Sequence, residues 1–151
     1  MSPDPHVQKI LDTRFPCAAH SPIIGRMNCI LHARAPQRGL ELCPYPSRAV
    51  IKGETHELIL TNEDAAPNKT VNAISYLGYF EIIEGGVMWV GDRVFVEGRE
   101  IGELAGYDLT HFPNHMNIII KITDPLYTGL EANVQLGASI SFVFRGRPQE
   151  E

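Results

Sequence analysis

The sequence predicts an all-β chain, a small antiparallel or mixed β-barrel over residues 23–145. An N-terminal arm with a short helix (1–22) precedes it and a disordered tail (146–151) follows. Three observations predict this. Helical periodicity is absent after the first dozen residues. Segments rich in β-branched and aromatic residues recur between turn clusters at near-regular intervals. Glycine turns punctuate the second half. A chain of 151 residues fits one domain and can bury a proper core.

In chain order, Asp4-Pro5 followed by Val7, Ile10 and Leu11 signals one or two helical turns. Asp4 can cap, Pro5 suits the first helical position, and the apolar residues share a face. Pro16 and Pro22 then break the chain. Ile24–Ala33, Arg48–Leu60 and Val71–Ile83 read as strands, separated by the turn clusters Ala35–Gly39, Cys43–Ser47 and Asn62–Asn68. Glu84-Gly85-Gly86 turns the chain into Val87–Val90, and Gly91-Asp92 leads into Val94–Val96. Gly98-Arg99 suits a two-residue type II′ hairpin. Asn117–Ile122 is apolar on both faces, short and β-branched, which predicts a central strand.

The segment Val90–Val96 has an internal echo in Leu136–Phe142. In both, a Gly turn leads into a strand with apolar residues at alternate places. Val90-Gly91-Asp92-Arg93 resembles the GD box of small cradle-loop β-barrels. That resemblance implies a Gly-permitted tight turn whose Asp side chain accepts backbone N–H bonds from a neighbouring loop. The second copy carries Ala138 in place of Asp.

Composition narrows the partners. The formal charge is −5, and the cations are scattered from Lys9 to Arg147, so nucleic acid is not an expected partner. No run approaches the ~20 apolar residues of a membrane helix, and the N-terminus lacks the pattern of a secretory signal. Cys17, Cys29 and Cys43 are odd in number and lack CxxC spacing, which suits free thiols in a reducing, cytoplasmic setting.

The densest chemistry lies in Tyr107-Asp108-Leu109-Thr110-His111-Phe112-Pro113-Asn114-His115-Met116-Asn117. Two imidazoles and a carboxylate can ligate a divalent metal, with His111, His115 and Asp108 as donors. Equally, one His oriented by Asp108 can serve as a general acid or base near neutral pH. Asn114, Asn117 and Tyr107 are candidate ligand-binding residues. Pro113 rules out a helical i, i+4 histidine pair. A two-residue turn at Pro113-Asn114 sends the imidazoles to opposite faces, whereas a three-residue loop sets them on one. Glu54 and His56 share a strand face and can join the site if that strand is adjacent.

Gly91–Gly102 running into Asp108–His115 resembles an uncharacterised family of small prokaryotic proteins, domains of unknown function with a Pro-Asn-His element. The resemblance spans about the central third of the chain. It implies no activity, but directs attention to Asp108, His111, Asn114 and His115. Two expectations follow. One is a barrel that binds a small molecule or divalent metal through the Asp108–His115 loop, with enzymatic chemistry at its histidines. The other is a homo-oligomeric assembly module that buries Val87, Met88 and Trp89 between subunits.

Overall fold

The computed structural model describes residues 21–145. The predicted N-terminal helix and most of its arm, and the tail, lie outside the described residues. Those residues are all-β, with no helix among them. Twelve strands follow one another: β1 (Ile23–Ile30), β2 (Arg34–Ala35), β3 (Leu40–Glu41), β4 (Ser47–Val50), β5 (Thr55–Thr61), β6 (Thr70–Val71), β7 (Ile74–Glu84), β8 (Gly86–Trp89), β9 (Arg93–Val96), β10 (Arg99–Asp108), β11 (Asn117–Lys121) and β12 (Ser139–Val143).

The main sheet runs β1-β12-β9-β10-β11-β5-β7-β2, and β1 pairs β7 as well as β12. Hydrogen bonding therefore closes a ring through β1, β12, β9, β10, β11, β5 and β7. Every pairing in it is antiparallel except β5 with β11, which is parallel. All seven strands send buried side chains into one cluster, including Met27, Phe142, Val94, Leu104, Ile118, Ile120, Leu58 and Phe80, so this cluster fills the ring. β11 sits between β10 and β5 as the central strand expected, and Ile118, Ile119 and Ile120 are wholly buried. Its alternate residue Ile119 faces outward, where Leu40, Leu42, Val71 and Ile59 form a second apolar cluster. The short β3–β6 pair supplies Leu40 and Val71 to that cover. Both faces of β11 are thus packed, which is why its sequence shows no alternation.

Two sequence readings change. The predicted strand Arg48–Leu60 divides at a turn through Lys52-Gly53, where Gly53 has φ +96°, giving β4 and β5. The β9–β10 hairpin turns at Glu97-Gly98 rather than Gly98-Arg99. Val96 pairs Arg99, and the φ values of +50° and +79° at the two central residues are those of a type I′ turn. Glu97 occupies the left-handed region that Gly, Asn or Asp usually takes, so the sequence placed the turn one residue late.

The internal echo is a repeated three-dimensional device. The N–H of Gly91 donates to the Leu104 carbonyl (2.8 Å), and the Leu104 N–H donates back to the Asp92 carbonyl (2.8 Å). Gly137 and Ala138 clasp Met27 in the same way, at 2.8 and 2.9 Å. In each copy the residue after Gly also donates to the carbonyl three places back. Gly91 (φ +99°) and Gly137 (φ +86°) hold the turn in the conformation glycine favours. The strands that follow, β9 and β12, pair with each other so that Phe95 faces its equivalent Ser141. The clasped strands match too. A Cβ on Gly102 would meet the Lys121 carbonyl oxygen at 2.3 Å, and one on Gly25 would meet that of Glu81 at 3.0 Å and Phe80 at 2.4 Å. Lys121 and Glu81 hold corresponding registers opposite Glu103 and Arg26. An approximate two-fold axis therefore relates β9–β10–β11 to β12–β1–β7.

Candidate functional site

β10 ends at Asp108 and β11 begins at Asn117, and these two residues pair across the ladder. The loop between them is a succession of turns: Phe112 N–H to the Leu109 carbonyl (3.1 Å), then Asn114 and His115 N–H to that of His111 (2.9 and 3.3 Å). The Phe112–Pro113 peptide is cis. Neither the two- nor the three-residue hairpin forms. The imidazoles nevertheless lie on one side, their rings stacked at 5.1 Å between centroids and 27° between planes.

Register brings further polar groups to these rings. Cys29, Tyr79, Glu57, Asn117 and Asp108 are successive cross-strand partners on β1, β7, β5, β11 and β10. Such partners share a sheet face, so they form one polar row on the ring's exterior. His115, two residues before Asn117, folds over its middle. Its Nε2 lies 3.8 Å from Glu57 Oε1, and its ring meets the Tyr79 ring edge-on at 5.3 Å. Its Nδ1 lies 2.7 Å from Asn114 Oδ1, a carbonyl oxygen that can only accept. The neutral imidazole so bound carries its proton on Nδ1 and turns a bare Nε2 toward Glu57. That Nε2 and the Asn117 Oδ1 are both buried without a hydrogen-bond partner.

Burial dominates the electrostatics. It raises the Glu57 carboxyl above its usual pKa, against the lowering influence of His111, Arg38 and a hydrogen bond from Tyr79. Burial also lowers His115, helped by the charges of His111 and His56 and opposed by Asn117. An ordinary Glu–His pair moves its two pKa values apart; here they move toward each other. Tyr79 is raised by burial and then by the Glu57 charge. Arg38, whose Nε donates to the Tyr76 hydroxyl at 3.3 Å, completes the charged surroundings of Glu57.

Other predicted residues have structural positions. Asp108 is buried. Its Oδ1 accepts from the Thr110 N–H and Asn117 Nδ2 (both 3.0 Å), and its Oδ2 from the Glu41 N–H (3.3 Å). It anchors the loop and orients Asn117, while Asn114 takes the His-orienting position expected of Asp108. Tyr107 points into the ring, wholly buried, with its hydroxyl donating to the Met88 carbonyl at 3.2 Å. His56 also points inward. Its Nδ1 accepts from the Met116 N–H (3.0 Å) and its Nε2 donates to Glu54 Oε1 (3.1 Å), with burial lowering its pKa. Among the described residues no group of three or more His, Cys, Asp and Glu side chains is arranged to hold a metal ion.

Glu57 and Tyr79 were missed by sequence reasoning. Glu57 lies in the strand Thr55–Thr61, far from the loop in sequence, and only its parallel pairing with β11 carries it there. The available signal was a lone carboxylate set directly before the apolar run Leu58-Ile59-Leu60.

Val87, Met88 and Trp89 lie on β8, paired with β4, and Met88 is already buried within this single chain. Among the described residues no helix is long and apolar enough to cross a membrane. Neither the curated proteins nor the solved structures contain a match to the chain. A family model does match, over residues 17–143, and its description states no function. The chain belongs to this family of unknown function, DUF6917.

Proposed function

We propose that the protein is a small β-barrel that binds a small molecule over the His111–His115 loop and moves a proton on it through Glu57 and His115. One observation carries the reading: the His115 Nε2 and Glu57 Oε1 face each other at 3.8 Å with their pKa values displaced toward one another by burial. Burial favours the uncharged form of each group, so the couple sets a proton-accepting imidazole beside a carboxyl that holds its proton more tightly than usual. Nε2 takes a proton from the bound molecule and the carboxyl returns one to a neighbouring atom. The imidazolium and carboxylate so formed reset when the proton crosses between them. The net change is a proton shift within the ligand, with no redox partner. Asn114 holds the imidazole, Tyr79 steadies the Glu57 carboxylate, and Asn117 lies beside the His115 ring. The free thiols of Cys29 and Cys43 support a reducing, cytoplasmic setting.

Imidazole NMR across pH tests the couple, combined with a fragment screen of small carbonyl compounds, carboxylates and amines. The expected result is that His115 titrates below its ordinary range, that Glu57→Gln alters this titration, and that bound fragments perturb His111, His115 and Asn117 together. Ordinary titration of His115, unaffected by Glu57→Gln, with no fragment perturbing the loop, would overturn the reading.

A further inference from the structure

A cavity of about 580 Å³ lies away from the histidine loop, between the 124–138 segment and the β9–β10 hairpin. Its size is that of a small-molecule site. Apolar walls come from Leu77, Val96, Ile101 and Val134, and its floor from Gly137 and Ala138 of the second clasp. The two clasps differ here. In the first, the buried Asp92 carboxylate fills the turn and accepts the Trp89 N–H at 3.0 Å. In the second, Ala138 carries only a methyl group at the corresponding place.

The charges around the cavity fall into two groups. Glu97 accepts from the Ser139 N–H, Glu100 is bound by Arg93, and Glu131 is bound by Arg34 and the Thr128 N–H. These three acids are compensated. Arg99 and Asp124 have no ion-pair partner among the described residues and line the same cavity as Tyr127, whose hydroxyl is raised first by burial and then feels the charge of both. The Tyr127 backbone is tied down by the buried Ser75 hydroxyl, which donates to its carbonyl at 2.6 Å. The pocket thus combines apolar walls with one cation and one anion that lack an ion-pair partner among the described residues.

We infer that this cavity binds a small zwitterion of the apolar amino-acid type, its carboxylate on Arg99, its ammonium on Asp124 and its side chain against Leu77, Val96 and Ile101. An apolar monocarboxylate lacking the ammonium meets Arg99 but leaves Asp124 unanswered. The two-charge arrangement therefore selects the zwitterion.

Calorimetric titration of the full chain with leucine, phenylalanine and tryptophan, each beside its N-acetyl and its amide form, tests the inference. Saturable binding at a Kd of about 1 mM or tighter is expected for at least one free amino acid. Blocking either charge should weaken it about tenfold or more. Arg99→Gln should remove discrimination against the amide and Asp124→Asn discrimination against the N-acetyl form. Both residues are exposed, and melting curves check that each variant is folded. Absence of saturable binding for all three amino acids overturns the proposal, as does equal affinity for free and blocked forms. Glu57→Gln should bind the amino acid as wild type does, which separates this site from the histidine loop.

Discussion

At the scale of single residues, burial rather than proximity of charge governs Glu57, His56 and His115, and this fixes how each affects stability with pH. His56 and His115 have folded pKa values below the ordinary 6.5. Between those values and 6.5 the unfolded chain binds more protons, so their contribution to stability is lost as pH falls through this window. Glu57 has a folded pKa above the ordinary 4.5. In the window above 4.5 the folded chain binds the extra proton, so stability falls as pH rises through it. Thermal melts should therefore show Glu57→Gln gaining stability relative to wild type as pH rises above 4.5, and losing stability more steeply than wild type as pH falls below 6.5, because the opposing Glu57 contribution is gone. Asp108 separates anchoring from chemistry. Asp108→Ala leaves two backbone donors and Asn117 Nδ2 without their acceptor, and should cost about 2–4 kcal/mol in denaturant unfolding. His111→Ala, which removes a largely exposed ring, should cost less than about 1 kcal/mol. The sequence made His111, His115, Asn114 and Asn117 legible because they crowd one loop. It hid Glu57, whose role depends on a pairing sixty residues away.

At the scale of elements, the glycines say most. Gly91 and Gly137 have open space around the missing Cβ but positive φ, so Gly91→Ala and Gly137→Ala should each cost about 1–2 kcal/mol. Gly102 has a different constraint, a carbonyl oxygen in the way, and Gly102→Ala should cost about 1–3 kcal/mol through forced displacement of β10 from β11. Equal penalties at the two clasps, measured by urea unfolding, would support their equivalence; a large difference would count against it. The clasp was visible in sequence because Gly before an alternating strand is a local pattern. The off-by-one hairpin was not, because Glu97 accepts a left-handed conformation that its residue type does not advertise.

At the scale of the whole molecule, the all-β class was legible from turn spacing and from the two-faced apolar run of β11. Which strands pair to close the ring was not, since the β1 pairings with both β7 and β12 join segments from opposite parts of the chain. The closed ring keeps its chemistry separated: a polar row with two imidazoles on the exterior, and a cavity at the second clasp. Closure also leaves few unpaired strand edges, which limits edge-to-edge association.

The two-fold relation of the clasps has one more consequence. In one half, β9 and β10 are joined by the Glu97-Gly98 turn; in the other, the equivalent strands β12 and β1 are neighbours with no such turn, Phe142 lying opposite Ile23. A circular permutant with residues 21 and 145 joined by a flexible linker and new ends opened at Glu97-Gly98 would exchange the two halves' connectivity while retaining every strand pairing. It should refold with the parent's far-ultraviolet spectrum and cooperative melt.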